Sequence, residues 1–215
     1  MVNDLSKGNS LINQFVAELR DVNIQKDRMR FRRNLERIGE IASIEISKKL
    51  DWEMTEVTTP LGTANVPMLK SQPVLATILR AGLPLHQGLL NYLDGADNAF
   101  VSAYRRHHKG GNFDIHIEYL SSPLLNDRVL ILSDPMLATG QSMILAYKAI
   151  LEKGSPSHIH VVAAVASTQG IEYVKSHLPE NATIWVGAID EELTVQSYIV
   201  PGLGDAGDLA FGVKE

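Results

Sequence analysis

Val129-Leu130-Ile131-Leu132-Ser133-Asp134-Pro135-Met136-Leu137-Ala138-Thr139-Gly140-Gln141-Ser142 is the stretch on which the fold turns. An apolar run ends at a carboxylate, a short loop with Thr, Gly and Ser follows, and an amphipathic segment continues from Met143 to Lys153. That order predicts a buried strand, a loop of phosphate size and a helix N-terminus. A helix N-terminus presents unpaired N–H groups and the positive end of the helix dipole, so it seats phosphate well. Asp134, just ahead of the loop, is suited to ribose hydroxyls or to a phosphate-bound metal. The pieces together suggest a ribose-phosphate ligand.

Outward from this stretch the chain alternates strands and helices. Toward the N-terminus, Leu11, Phe15, Val16 and Leu19 have helical spacing, and Asp27 can cap a longer helix running roughly to Leu50. The apolar stripe of that helix is Phe31, Leu35, Ile38, Ala42 and Ile46. Its opposite face carries Arg28, Arg30, Arg32, Arg33, Glu36, Arg37, Glu40 and Lys48. A solvated face is the plain reading, with a partner subunit or a phosphate as the alternative. Residues 56–59 and 62–66 read as a hairpin around Pro60. Strands are expected at 73–79, 99–104, 158–166 and 183–188, and helices at 84–93 and 170–177. Phe113 to Tyr119 alternates polar and apolar residues, which suits an exposed strand in an arm or flap. The sum is an α/β chain with a parallel sheet covered on both faces. Ligands of such sheets bind beyond the C-terminal strand ends, so Arg80, Arg105 and Asp134 should converge.

Composition narrows the function. The 215 residues, 45% hydrophobic, suffice for one sizeable core, and residues 1–215 are expected to form one domain. A net charge of −5 makes nucleic acid an unlikely partner. No apolar run approaches the roughly 20 residues that cross a bilayer, and residues 1–10 lack the apolar core of a signal peptide. The absence of cysteine excludes disulfides, thiolate catalysis and Cys-ligated metals. A soluble cytoplasmic protein without a membrane partner is expected.

Three further segments carry chemistry. Ile78-Leu79-Arg80-Ala81-Gly82-Leu83 puts a guanidinium where a strand meets a glycine turn, placed to grip phosphate oxygens or to hold a structural ion pair. Tyr104-Arg105-Arg106-His107-His108-Lys109-Gly110-Gly111 is a basic loop, read either as a solvated flap or as an anion site. Tyr198-Ile199-Val200-Pro201-Gly202-Leu203-Gly204-Asp205-Ala206-Gly207-Asp208 lets backbone approach a ligand closely, with no helix pattern evident after it. Neither a G-x-x-x-x-G-K-[S/T] loop nor a G-x-G-x-x-G fingerprint after a strand is present. His158 and His160 share a strand face, and packed histidines are expected there rather than a zinc pair.

Residues 129–142 resemble the 5-phosphoribosyl-1-diphosphate (PRPP) loop of type I phosphoribosyltransferases, in the Asp-Pro-Met-Leu-Ala-Thr-Gly form of the uracil phosphoribosyltransferase family. Residues 78–83 resemble that family's diphosphate-contacting segment, and residues 198–208 its uracil signature. The resemblance runs from about Asn9 to Gly212 and implies a parallel sheet flanked by helices, with a small C-terminal hood and a β-arm. It implies the reaction uracil + PRPP → UMP + diphosphate, in pyrimidine salvage. By position, Arg80 and Arg105 would hold the diphosphate and Asp134 the ribose hydroxyls. The loop of Pro135, Met136, Leu137, Ala138, Thr139, Gly140, Gln141 and Ser142 would cradle the 5′-phosphate from Ala138 onward. Ile199, Gly204 and Ala206 would read uracil through backbone groups. Asp205 would contact PRPP, through Mg²⁺ as cofactor. Asp205, Arg80 and Arg105 are the implied catalytic residues. A homodimer or larger homo-oligomer is also implied, with the 27–50 helix and the 113–119 strand as interface elements. GTP activates some bacterial members, although no motif here locates such a site. The alternative is a nucleotide-sensing, RNA-binding regulator of the same fold.

The chain departs from the family pattern in places. Pro84-Leu85-His86-Gln87 stands where Gly-Met and an Asp are usual, Gln141 where a second glycine is usual, and basic residues follow Arg105 where acidic ones are usual. Ala166-Ser167-Thr168-Gln169-Gly170 replaces Ala-Pro-Glu-Gly, and Leu209-Ala210 follows Asp208 in place of a basic residue and Ile.

Overall fold

The runs at 74–79, 129–133 and 159–166 are apolar almost throughout, the pattern of strands buried on both faces. A computed structural model describes residues 1–107 and 113–213, without the side chains of 103–107 and 113–116. The N-terminal part runs β1 (Val2–Asp4), α1 (Leu11–Arg20), α2 (Arg28–Ser47), β2 (Trp52–Thr59), β3 (Gly62–Leu69), β4 (Val74–Leu79) and α3 (Leu83–Leu90). Next come β5 (Asp97–His107), β6 (Phe113–Ser121), β7 (Val129–Ser133), β8 (Met136–Leu137) and α4 (Gln141–Ile150), the last followed by one 3₁₀ turn. The chain closes with β9 (His158–Ser167), α5 (Thr168–His177), β10 (Thr183–Asp190), β11 (Glu192–Leu193), β12 (Ile199–Val200) and α6 (Ala206–Phe211).

The central sheet has the order β1-β10-β9-β7-β4-β5-β6, with β8 also paired to β9. Every pairing in it is parallel except β5 with β6. Alternate residues of the inner strands face opposite ways, so Leu75, Ile131, Val162 and Trp185 join one core with α1, α2, α3 and α6. Ala76, Leu132, Val161 and Val186 join a second core with α4 and α5. The expected stripe of α2 is wholly buried, and the Asp27 carboxylate caps this helix by accepting the Arg30 N–H at 3.0 Å. The arginines of α2 are largely used within the chain. Arg30 pairs with Glu18, Arg33 with Glu36, and Arg32 donates to the Ala210 carbonyl at 2.7 Å. No helix among the described residues is long and apolar enough to cross a membrane.

Four expectations need correction. First, β6 is the edge strand of the central sheet, and the separate two-stranded arm is the β2–β3 hairpin. One-sided exposure gives the same alternation to an edge strand as to an arm. Second, α2 ends at Ser47, short of Leu50. Third, β1 pairs with β10 although three residues are too few to show a period. Fourth, a helix does follow the C-terminal glycines. It is only six residues long, so its signal was the capping residue Asp205 rather than an apolar stripe.

At Gly39 and Gly88 the backbones of α2 and α3 approach each other closely. A Cβ on Gly39 would overlap the Leu85 carbonyl oxygen, and one on Gly88 the Glu36 carbonyl oxygen. Gly88→Ala should therefore lower stability by about 1–3 kcal/mol through overpacking. The midpoint of urea unfolding reads this, and an unchanged midpoint would mean that the helices separate freely.

Candidate active site

At its C-terminal end β7 is tied to β4 by a reciprocal pair of buried hydroxyls. Thr77 Oγ1 donates to the Ser133 carbonyl at 3.2 Å, and Ser133 Oγ donates to the Ala76 carbonyl at 3.1 Å. This pair fixes the strand ends from which Asp134 and Arg80 emerge. Beyond Ser133 the chain moves onto β9. Asp134 N–H donates to the Val162 carbonyl at 3.0 Å, and the Pro135 carbonyl accepts from the N–H groups of Ala164 and Val165. Met136 and Leu137 then pair with Val165 and Ala166.

The loop is closed from below by α5. Ser167, fully buried, donates to the Ala138 carbonyl at 2.6 Å and accepts the Gly170 N–H at 2.8 Å. One hydroxyl thus caps α5 and anchors the loop. Gly140 turns the chain into α4 with φ of +77°, where a Cβ would lie 2.8 Å from Val174 Cγ2 and 2.9 Å from the Gly170 carbonyl oxygen. Only glycine suits that position. Gln141 is the first residue of α4 and has no positive φ, so its side chain carries no backbone penalty. A cavity of about 40 Å³ is lined by Asp134, Met136, Leu137, Ala138, Thr139, Gly140, Ser142 and Met143. Of the loop residues named from sequence, Pro135 and Gln141 are outside this lining, and Met143 is an addition. Above the cavity the first N–H groups of α4 have no acceptor within their own helix.

Arg80 follows β4 across a cis peptide bond, in a turn where a Cβ on Gly82 would overlap Thr77 Oγ1. Its guanidinium donates to the Gly212 carbonyl at 3.2 Å and lies 3.6 Å from Asp208 Oδ1. The C-terminal segment thereby sits over the end of β4. Asp205 caps α6 through the Asp208 N–H at 3.0 Å. Its charge also reaches Asp134. The Asp134 carboxyl is pushed up to about 7, by burial first of all, with the Met136 N–H opposing the shift and the charge of Asp205 adding to it. Asp134, Arg80, Asp205 and Asp208 are therefore linked at one end of the sheet. In the same C-terminal segment Ile199 and Ala206 are buried, while Gly204 is exposed. Arg105 is on β5, the strand next to β4, and its side chain is outside the described residues, as are residues 108–112 of the basic loop.

His158 and His160 are structural. His160 Nδ1 accepts the Trp185 indole N–H at 3.1 Å, and His158 shares a hydrogen bond with Thr183. Among the described residues no group of three or more His, Cys, Asp or Glu could hold a metal ion. Ser167, Thr77 and Ser133 were missed from sequence. Ser167 has a legible signal, since a serine between an apolar strand and a helical segment is an N-cap candidate.

A family model described as uracil phosphoribosyltransferase matches residues 6–213. The chain is 59% identical over 210 residues to a protein of that name from Porphyromonas gingivalis, covering 98% of this chain and 97% of the relative. A protein of the same name from Thermococcus gammatolerans is 38% identical over 204 residues, with 94% and 89% covered. A solved structure of a protein from Aquifex aeolicus matches with a TM-score of 0.88 at 30% identity, over 99% of both chains. An adenine phosphoribosyl transferase from Trypanosoma brucei, solved with AMP, pyrophosphate and ribose-5-phosphate, matches at a TM-score of 0.57. At 13% identity, over 95% of this chain and 88% of that one, it shows the fold alone.

The raised carboxyl of Asp134 has a measurable cost. An unfolded Asp titrates near 3.8 and the folded one near 7. Between those values the unfolded chain is ionised while the folded one holds its proton, so stability falls as pH rises through the window. Above about 7 the loss is complete, and below 3.8 it vanishes. Asp134→Asn should raise the Tm of the ligand-free protein above pH 7, by an increment that shrinks toward pH 3.8. An increment independent of pH would contradict the raised carboxyl.

Proposed function

The chain belongs to the uracil phosphoribosyltransferase family, and on that premise we propose that it transfers the phosphoribosyl group of PRPP to N1 of uracil. UMP forms and diphosphate leaves. The observation that carries this reading is the meeting of three distant segments at one sheet end: the 134–142 loop, Arg80, and the 205–212 segment. The RNA-binding alternative is not favoured, because the family and the named relatives match the enzyme over nearly the whole chain.

The 138–142 loop binds the 5′-phosphate through backbone N–H groups and the hydroxyls of Thr139 and Ser142. Asp134 accepts hydrogen bonds from ribose hydroxyls. Arg80 and Arg105 hold the diphosphate. Arg80 already sits at the site, engaged with Gly212 and Asp208, and diphosphate oxygens would take over those contacts with paired hydrogen bonds. Asp134 and Asp205 are two interacting carboxylates without a third candidate ligand among the described residues. That donor set fits a Mg²⁺ brought in by the diphosphate, with Asp205 reaching it, better than a cage built from protein alone. When bound, Mg²⁺ would neutralise charge on the departing diphosphate. The arginines supply the same kind of stabilisation from preorganised positions. The rest of the work is alignment of uracil N1 with C1′.

Backbone groups of Ile199, Gly204 and Ala206 read the base. The O4–N3H–O2 edge of uracil presents acceptor, donor and acceptor, which two N–H groups flanking one C=O complement. Cytosine would aim an amine at a backbone donor. We extend the reading to a homodimer or larger homo-oligomer, supported by the β2–β3 hairpin, which exposes Trp52, Met54, Leu61 and Met68.

The deciding assay supplies PRPP with uracil, cytosine, orotate and hypoxanthine in turn. UMP from uracil is expected, with cytosine slower by about 10⁴-fold, and comparable use of cytosine would overturn the reading. In the same assay Asp205→Asn should cut turnover without loss of fold. Arg80→Ala should raise KM for PRPP more than for uracil. Normal kinetics in both variants would overturn these assignments.

A further inference from the structure

The segment assigned above to base recognition is held from behind by a partly buried ion pair to which the reaction gives no role. Arg20, the last residue of α1, makes a two-pronged contact with Asp190, the last residue of β10, at 2.8 Å on each prong. Both members also bind Gly202. Arg20 Nη1 donates to the Gly202 carbonyl at 3.1 Å, and Asp190 Oδ2 accepts the Gly202 N–H at 2.9 Å. The next carbonyl, that of Leu203, accepts from the Gln25 side-chain amide at 3.2 Å, and the same amide holds Leu19 and Arg20 at the end of α1. Asp190 is only 7% exposed, so these bonds face little competition from water. Gly202 lies close against Ile199, with a φ of +55° and no room for a Cβ beside the Ile199 carbonyl oxygen, so the path there requires glycine.

We propose that Arg20, Asp190 and Gln25 are positioning residues for uracil recognition, setting the backbone path between Ile199 and Gly204. This rests on the functional reading above. A base read by backbone groups is read only as accurately as that backbone is placed, and such sites need their donors held to about 0.5 Å. The clamp supplies that placement from outside, through one guanidinium fork, one carboxylate and one amide. Lysine keeps the charge at Arg20 but cannot reproduce the fork that serves Asp190 and Gly202 together.

The clamp predicts a split that a purely stabilising ion pair would not produce. Arg20→Lys and Gln25→Leu should each raise KM for uracil, about tenfold for Arg20→Lys, and leave KM for PRPP within about twofold. Discrimination against cytosine should narrow in both variants. Thermal melts verify that each variant is folded. If Arg20→Lys fails to fold, Gln25→Leu decides, since it removes only neutral hydrogen bonds. Folded variants with unchanged KM for uracil, or with uracil and PRPP weakened equally, would overturn the clamp. Lack of uracil turnover by the unsubstituted protein is a different failure, that of the functional reading itself, and it would remove the clamp's role as well.

Discussion

The ligand end of this molecule depends on how the chain turns from β7 into α4 above a parallel sheet. The turn has to leave helix N–H groups unpaired, and it has to do so without collapsing onto them. Two contacts achieve this. Gly140 takes a left-handed conformation against Val174 and Gly170, where any side chain would collide. Ser167 holds the Ala138 carbonyl down onto α5. The loop is thereby fixed against α5, and Ala138, Thr139, Gly140 and Ser142 line the cavity. The parallel sheet supplies the rest, because it delivers Arg80 and Asp134 from neighbouring strands to the same edge.

Most of this was legible in the sequence where burial is complete. The inner strands are apolar runs with turn residues at their ends, and the long helix carries both its stripe and its cap at Asp27. The site loop could be placed because its polar residues follow directly on such a strand. The illegible parts share a cause: they are too short or too half-buried to have a period. β1 and α6 are of this kind, and the edge strand β6 carries an alternation of residue types that an arm would carry as well. Second-layer contacts such as Ser167 to Ala138, or Arg20 and Asp190 to Gly202, join residues far apart in the chain, and no local pattern announces them. Gln141 is the reverse case. It stands where the family pattern has a second glycine, and the left-handed residue of the turn is its neighbour Gly140, while Gln141 begins the helix.

The site also shows function taking precedence over stability. Asp134 is held in surroundings that disfavour its charge, with the second carboxylate of Asp205 close by. A polar group placed so poorly for the empty protein suits one whose partners arrive with the ligand, as hydroxyls and a cation would. Arg80 shows the complementary arrangement. Its guanidinium is occupied by Gly212 and Asp208, contacts that diphosphate oxygens would replace in the proposed reaction. The C-terminal segment is thus coupled to the end of β4 by Arg80, while the Arg20–Asp190 ion pair holds its Gly202 backbone.

The most direct test of the central claim is a crystal structure with UMP bound. The account predicts the phosphate on the 138–142 loop at the N-terminus of α4, the ribose hydroxyls on Asp134, and the uracil edge against backbone groups of residues 199–206. A nucleotide bound with its phosphate away from that loop, or with its base read by side chains elsewhere on the sheet edge, would contradict it.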